Sequence, residues 1–245
     1  MKFVQTFMRS SFSITATLLI FTLLCSCKKP VQANANNPYM PPSSNSSSKK
    51  YLALGDSYTI GQSVAAEDRF PNQTNRLLSA QGVAVNTPDI VAVTGWTTAN
   101  LINALNTSLP ANDYDFVTLL IGVNNQYQGR TIDEYKNEFT ILLNRAIQYA
   151  GNRKSRVFVL SIPDYSVTPF AKGSDTASIA KQIDAFNLAN KNITTAMGVT
   201  YIDITPISRE AAKDSSLIAG DGLHPSGKQY KRWADLLAPL IKASL

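Results

Sequence analysis

The sequence has 245 residues, with 23 basic and 17 acidic side chains and a formal net charge of +6. All of the excess positive charge lies in the first fifty residues, and residues 51–245 carry 17 basic and 17 acidic side chains, a balance that gives no support to nucleic-acid binding. The two cysteines are residues 25 and 27 and there is one histidine, so residues 51–245 have no disulfide framework, no thiolate or multi-histidine metal site and no cysteine nucleophile.

Residues 1–27 have the pattern of an export signal. Lys2 and Arg9 give a positive start, and an uncharged apolar run follows over residues 12–24, which is short for a membrane span. The run closes with Leu-Cys-Ser-Cys, which resembles a bacterial lipoprotein signal and implies that Cys27 becomes the lipidated N-terminus. A plain secretory signal or a short membrane anchor is the alternative. We expect an exported protein, lipid-anchored in the bacterial cell envelope, in the outer membrane on its periplasmic or surface face.

Residues 28–50 are rich in Pro, Asn and Ser and poor in large apolar side chains. Such a segment buries too little surface to offset the entropy lost on ordering, so it is predicted to be a flexible tether. The domain is then predicted to span residues 51–245, a length that can bury a sizeable core without disulfides or metals.

From Tyr51 onward, short apolar runs alternate with segments of helical periodicity. This alternation predicts a three-layer α/β/α sandwich with a mostly parallel five-stranded sheet, whose sites form at the carboxyl ends of the strands. The predicted strands are Tyr51–Leu54, Ile90–Val93, Phe116–Ile121, Val157–Ile162 and Val199–Ile202. The predicted helices are Phe70–Gln81, Thr97–Asn106, Thr131–Ala150, Asp175–Met197 and Ser226–Leu240, the last with Trp233, Leu236, Leu237 and Leu240 on one apolar face.

Three predicted strands end in residues suited to acyl chemistry. Ser57 follows the first strand, where helix-start N–H groups can stabilise negative charge, although a capping serine fits the same position. Gly95 follows the second strand and can present an unobstructed N–H. Asn124 follows the third and can present its side-chain amide. Taken singly, a turn glycine and a capping asparagine explain these two residues as well.

The single histidine, His224, lies in a turn that leads into the last predicted helix. Asp221, three residues upstream, can accept a hydrogen bond from the imidazole Nδ1–H and so fix its tautomer for proton transfer. The alternative is that Asp221 stabilises the turn and Ser226 caps the helix. This structural role and the role in orienting His224 are compatible.

Four blocks of the sequence together resemble the SGNH hydrolase family, also called GDSL esterases or lipases. The blocks are Gly55-Asp56-Ser57, Gly95, Gly122-Val123-Asn124 and Asp221-Gly222-Leu223-His224, in the order typical of that family. The resemblance implies a flavodoxin-like fold and a serine esterase without metal or cofactor. It assigns Ser57 as nucleophile, His224 as base, Asp221 as its orienting carboxylate, and Ser57, Gly95 and Asn124 as oxyanion-hole donors.

The sequence departs from the family pattern at two positions and leaves the substrate open. Tyr58 replaces the usual Leu and Asn125 replaces the usual Asp. Tyr58, Trp96 and Tyr127 flank the motifs and are candidates for binding substrate, although aromatic residues more often lie in the core. We find no long apolar lid segment, and we expect short-chain acyl esters, above all acetyl esters of small molecules or carbohydrates. The alternatives are a lipase or thioesterase for longer chains, or a non-catalytic glycan-binding lipoprotein. A nucleotide-binding protein would need a Gly-rich phosphate loop, which is missing.

Overall fold

The computed structural model describes residues 48–245 of the chain. The predicted signal at 1–27, lipidation at Cys27 and nearly all of the predicted tether lie outside these residues. The two residues before Tyr51 also contact the sheet layer. Lys49 pairs with Val85 in an isolated parallel bridge, and the backbone N–H of Lys50 donates to the Asp115 carboxylate at 2.9 Å. The last residues of the predicted tether therefore belong to the domain.

The centre of the fold is a five-stranded sheet in which every neighbouring pair of strands is parallel. The order across the sheet is β2-β1-β3-β4-β5, so the predicted flavodoxin-like α/β architecture is confirmed. All five predicted strands are present, with bounds that differ by one or two residues. The strands are β1 (Tyr51–Gly55), β2 (Asp89–Ala92), β3 (Phe116–Leu120), β4 (Val157–Leu160) and β5 (Thr200–Ile202).

Helices cover both faces of the sheet. Connections between parallel strands are right-handed, so the direction in which the chain moves across the sheet decides which face the connecting helix covers. The chain moves toward one edge of the sheet from β1 to β2 and toward the other edge from β2 through β5. The connecting helices therefore lie on opposite faces. The helices are α1 (Ser57–Ile60), α2 (Phe70–Ala80), α3 (Thr98–Thr107), α4 (Val123–Tyr127), α5 (Ile132–Tyr149), α6 (Thr176–Ala196), α7 (Thr205–Arg209) and α8 (Gly227–Ser244). Helices α2 and α8 pack together in one layer, while α5 packs between α3 and α6 in the other.

The middle strands of the sheet are wholly buried. Every residue of β1, β3 and β4 is buried, as expected for strands covered by helices on both sides. At the start of β1 the ring of Tyr51 stacks on that of Phe116 in β3 with the ring centroids 4.4 Å apart. Tyr51 also shares a hydrogen bond with Thr118 at 2.9 Å, which satisfies its buried hydroxyl.

The prediction for the apolar face of α8 was partly wrong. Trp233 and Leu237 are buried, but Leu236 and Leu240 are each 43% exposed. The buried stripe follows positions 230, 233, 234, 237, 238 and 241, so small alanines fill core positions that the two exposed leucines were expected to take.

Helix α8 also runs four residues beyond its predicted end. It continues through Pro239 to Ser244. Proline removes one helical hydrogen bond to the carbonyl four residues back, that of Asp235. Because Asp235 is exposed to solvent, water can satisfy that carbonyl and the helix continues.

The strand order places a crevice between β1 and β3. The connections leave these neighbouring strands on opposite sides, and ligand sites of open parallel sheets form at such a switch point, outside the carboxyl ends of the strands. The turns after β1, β2 and β3 carry the Ser57, Gly95 and Asn124 motifs. Within residues 48–245, no helix is long and apolar enough to cross a membrane.

Candidate active site

Ser57 is the first residue of α1, immediately after the turn that closes β1. The turn packs tightly against the neighbouring strand, because a Cβ atom placed on Gly55 would lie 2.1 Å from Oγ1 of Thr59 and 2.4 Å from the carbonyl oxygen of Leu120. The N–H groups of a first helical turn have no partner within the helix, so the Ser57 N–H is left for a partner outside it. Ser57 itself is only 4% exposed.

Asp56 caps the helix that carries Ser57. One carboxylate oxygen accepts the N–H of Tyr58 at 3.0 Å, while the other has no hydrogen-bond partner in the described part of the chain. The side chain is wholly buried. Burial raises the pKa of Asp56 to about 7, although backbone N–H groups, including those of Tyr58 and Gly122, act in the opposite direction.

The turns after β2 and β3 meet beside Ser57. Gly95 has a φ of +84°, a conformation that a residue with a side chain adopts only with strain. No hydrogen bond within residues 48–245 takes up its N–H. Asn124 donates one amide hydrogen to the carbonyl of Trp96 at 2.9 Å, which fastens the two turns together and leaves the second amide hydrogen for a ligand.

Asn125, which stands where the family pattern has Asp, holds the same two turns together from behind. Its side-chain carbonyl accepts the N–H of Thr98 at 3.0 Å and its amide donates to the Thr98 hydroxyl at 2.6 Å. The Thr98 hydroxyl in turn donates to Glu138 on α5. The Thr98 hydroxyl gives its proton to Glu138, so its other partner must be a donor. The amide of Asn125 can donate, whereas an ionised aspartate at this position could only accept.

The loop before α8 brings Asp221 to His224. Oδ2 of Asp221 lies 2.6 Å from Nδ1 of His224, and Oδ1 accepts the backbone N–H groups of Leu223 and His224, each at 3.0 Å. Oδ2 also accepts the hydroxyl of Ser63 at 2.7 Å. With Nδ1 bonded to the carboxylate, Nε2 is the ring nitrogen that is left for a second partner.

The carboxylate of Asp221 is held in its ionised form. Partial burial by itself would raise the pKa of Asp221, but the hydrogen bonds from Ser63, His224 and the backbone outweigh burial and bring the pKa well below its usual value. The predicted geometry for Asp221 and His224 is therefore present, and the helix that follows is capped by Ser226, whose side chain accepts the N–H of Gln229.

One cavity of about 140 Å³ brings most of the predicted site residues together. Its wall includes Ser57, Tyr58, Gly95, Asn124, Tyr127 and His224. The other predicted residues differ in position. Asp221 does not line the cavity but contacts His224, which does. The half-buried side chain of Trp96 packs against the core and is not part of the wall. Trp96 contributes to the site through its backbone carbonyl, which accepts the Asn124 amide.

The two predicted tyrosines differ in their surroundings. Tyr58 is almost fully buried, and its ring lies 5.4 Å from that of His224 and 6.4 Å from that of Trp233. Tyr58 therefore supports the histidine as well as lining the cavity. Tyr127 is 60% exposed at the mouth of the cavity.

Sequence reasoning missed the contribution of the loop after β4. Tyr165 and Phe170 in this loop line the cavity and contact Tyr127, with ring centroids 6.0–6.2 Å apart. Several of the other site residues were predicted because they come shortly after a parallel strand. Tyr165 comes shortly after β4, so the same reasoning could have found it. Thr94, which precedes Gly95, and the motif residues Val123 and Leu223 complete the wall. Within the described residues, no group of His, Cys, Asp and Glu side chains is placed to hold a metal ion.

The all-parallel sheet with a site at the switch point defines the chain as a flavodoxin-like α/β protein. The family to which it belongs follows from the sequence. Residues 53–232 match the GDSL-like lipase/acylhydrolase family. The chain therefore belongs to this family, as the four motif blocks predicted, and it is a carboxylic ester hydrolase. No curated protein sequence matches the chain.

Several solved structures share the fold at low sequence identity. A lipase from a goat rumen metagenome is 19% identical, with a TM-score of 0.64 over 79% of this chain and 97% of that chain. A psychrotrophic esterase from Pseudoalteromonas sp., inhibited by monoethylphosphonate, is 16% identical, with a TM-score of 0.60 over 80% and 97%. An acetylxylan esterase from Geobacillus stearothermophilus is 20% identical, with a TM-score of 0.58 over 79% and 94%.

The buried Asp56 carboxyl predicts an unusual dependence of stability on pH. Its folded-state pKa, about 7, lies above the value of 3.8 for an aspartate free in solution, so the folded protein keeps a proton that the unfolded chain releases. The contribution of Asp56 to the free energy of unfolding then falls as pH rises from about 4 to 7, by at most about 4 kcal/mol. In Asp56→Asn, which cannot ionise, this part of the slope is absent.

Urea unfolding at intervals between pH 4.5 and 7.5 measures the effect. Asp133→Asn, which removes an exposed carboxylate of α5, serves as the charge-matched control and is expected to keep the wild-type slope. Equal slopes for wild type and Asp56→Asn would show that Asp56 is ionised throughout this range.

Proposed function

We propose that the protein is a serine esterase in which Ser57 attacks the acyl carbon and His224, oriented by Asp221, transfers the protons. The observation that carries this proposal is the meeting of Ser57, Gly95, Asn124 and His224 on one cavity, with the Asp221 carboxylate 2.6 Å from the far nitrogen of the imidazole. Nucleophile, base and orienting carboxylate come from opposite ends of the domain. This arrangement has the parts of an acyl-transfer site.

The proposed reaction takes place in two half-reactions. Nε2 of His224 accepts the Ser57 proton as Oγ forms a bond to the ester carbonyl carbon, and the imidazolium then protonates the departing alcohol oxygen. Water next adds to the acyl-enzyme, giving its proton to His224, and the Ser57 oxygen leaves with that proton as the carboxylic acid is released. Asp221 stabilises the imidazolium in both halves and keeps its own negative charge.

The proposed oxyanion hole consists of the N–H groups of Ser57 and Gly95 and the free amide hydrogen of Asn124. Three donors from three turns would stabilise the charge that develops on the carbonyl oxygen. The bond from Asn124 to Trp96 and the network of Asn125 and Thr98 keep the donors in place before substrate arrives, so little reorganisation is needed in the transition state.

Substitutions at two positions test the nucleophile and the hole. Ser57→Ala is expected to abolish esterase turnover, and Asn124→Ala to lower kcat about a hundred- to thousandfold, the usual effect of one lost oxyanion donor. Steady-state kinetics on p-nitrophenyl acetate, with thermal unfolding of each variant, provide the readout.

Asn144→Ala, which removes an exposed asparagine on α5, is the matched control and should keep wild-type kcat. Full activity in Ser57→Ala would contradict the proposed nucleophile. Full activity in Asn124→Ala would exclude its amide from the hole and leave the nucleophile unaffected.

The cavity supports short acyl groups as substrates. Its volume of about 140 Å³ is well below the 300–1,000 Å³ of pockets for drug-sized ligands. The volume fits an acetyl group or one a few carbons longer. An acetylated carbohydrate or another small ester then fits best, with its alcohol part at the open mouth, where Tyr127 and Phe170 are exposed.

A series of p-nitrophenyl esters from acetate to palmitate tests this preference, and kcat/KM is expected to peak at two to four carbons. Acetylated xylan and pectin fragments, assayed alongside, test for carbohydrate esters. A maximum at eight or more carbons would favour the alternative of a lipase or thioesterase, whose longer chains would lie across the exposed rings of Tyr127 and Phe170. The alternative of a non-catalytic glycan binder does not fit the family of the chain.

We further propose that the enzyme is exported and carries a lipid on Cys27. The charged start, the short apolar run and the Leu-Cys-Ser-Cys sequence support this localisation. Full-length protein expressed in a Gram-negative host with labelled palmitate should incorporate label and partition with membranes. Cys27→Ala should lose both properties while keeping its specific activity, and a labelled Cys27→Ala protein would contradict the assignment.

A further inference from the structure

Ser63 reaches the proposed acid–base pair from the turn that follows the nucleophile helix. Its hydroxyl donates to Oδ2 of Asp221 at 2.7 Å, across 158 positions of sequence. The same oxygen contacts Nδ1 of His224 at 2.6 Å, and Oδ1 takes two backbone N–H groups. Within residues 48–245, the Asp221 carboxylate thus has two partners on each oxygen, and Ser63 is the only one of these four from outside the loop of Asp221.

The backbone of Ser63 is in a conformation that disfavours serine. Its φ is +65°, in the left-handed region, which is strained for a residue other than glycine. Within residues 48–245, the other such residue is Asn152, and asparagine tolerates this region. Glycine at position 63 would avoid the strain, but it would also remove the hydroxyl that bonds to Asp221.

The neighbouring residue links the same turn to the oxyanion side of the site. The side-chain oxygen of Gln62 accepts the hydroxyl of Thr94 at 2.7 Å, next to Gly95, and its backbone N–H donates to the carbonyl of Ser57 at 3.0 Å. Gln62 and Ser63 therefore hold the Gly95 turn and the Asp221 loop to the segment that carries the nucleophile.

We propose that Ser63 is a positioning residue, which fixes the Asp221 carboxylate against Nδ1 of His224 and so leaves Nε2 available to accept the Ser57 proton. The inference rests on the proposed function of Ser57, Asp221 and His224. The Asp221 side chain is 29% exposed, so water can compete for Oδ2 and let the carboxylate rotate. A second hydrogen bond to Oδ2, from the Ser63 hydroxyl, opposes this rotation.

A double-mutant cycle with Asp221 tests the proposal. Ser63→Gly, which removes the hydroxyl and the strain together, is expected to lower kcat about three- to tenfold, the effect of one ordinary hydrogen bond, with KM unchanged and stability equal or higher. In an Asp221→Ala background the same substitution should change kcat less than about twofold, because its partner is gone.

Two further variants separate the hydroxyl from backbone strain and from the neighbouring link. Asn152→Gly changes a left-handed residue in the turn after α5 and should leave kcat at the wild-type value. Gln62→Ala should lower activity by the same factor with or without Asp221, since its side chain binds Thr94 and not the carboxylate.

Each outcome decides the proposal. Full kcat in Ser63→Gly, with a large loss in Asp221→Ala, would overturn the role of Ser63 and leave the proposed function standing. An equal loss from Ser63→Gly in both backgrounds would show that Ser63 does not act through Asp221. Wild-type kcat in Asp221→Ala would contradict both the proposed acid–base pair and this inference.

Discussion

The common direction of the five strands is the constraint on which the site depends. Because every strand is parallel, each of the turns after β1, β2 and β3 opens at the same edge of the sheet. Ser57, Gly95 and Asn124 are far apart in sequence, yet one cavity collects all three. His224 joins them from the loop before α8, a helix that packs beside α2 and so returns the end of the chain to the first strand.

Hydrogen bonds between the turns help to fix the arrangement at this edge. Asn124 fastens the third turn to the second through Trp96, Asn125 repeats the link through Thr98, and Asp221 ties the last loop to the first turn through Ser63. Such bonds are directional, so they can hold donors and acceptors to the fine tolerances that catalysis needs. Within residues 48–245, one oxygen of buried Asp56, beside the proposed nucleophile, has no hydrogen-bond partner, so the site also contains a polar group that costs stability.

The fold could be predicted because buried parallel strands are continuous apolar runs, and the motif residues could be placed because they follow such runs directly. What the sequence could not show depends on packing and long-range contacts. The exposure of Leu236 and Leu240 depends on which face of α8 packs against its neighbours, and alanines share that face. Trp96 and Ser63 are separated from their partners by dozens of residues or more, so no local pattern marks them. Lys49 and Lys50 look like tether residues until Val85 and Asp115 are seen beside them.

The most direct test of the account is whether the Ser57 oxygen is the activated nucleophile. A fluorophosphonate ester reacts with a serine whose hydroxyl is activated by a base, and it leaves one phosphonyl group on that oxygen. Mass spectrometry of the treated, digested protein should find a single adduct on the peptide that contains Ser57, with activity lost in proportion to labelling and no adduct in His224→Ala. An inactivated enzyme whose adduct lies on another residue, with Ser57 unmodified, would contradict the account.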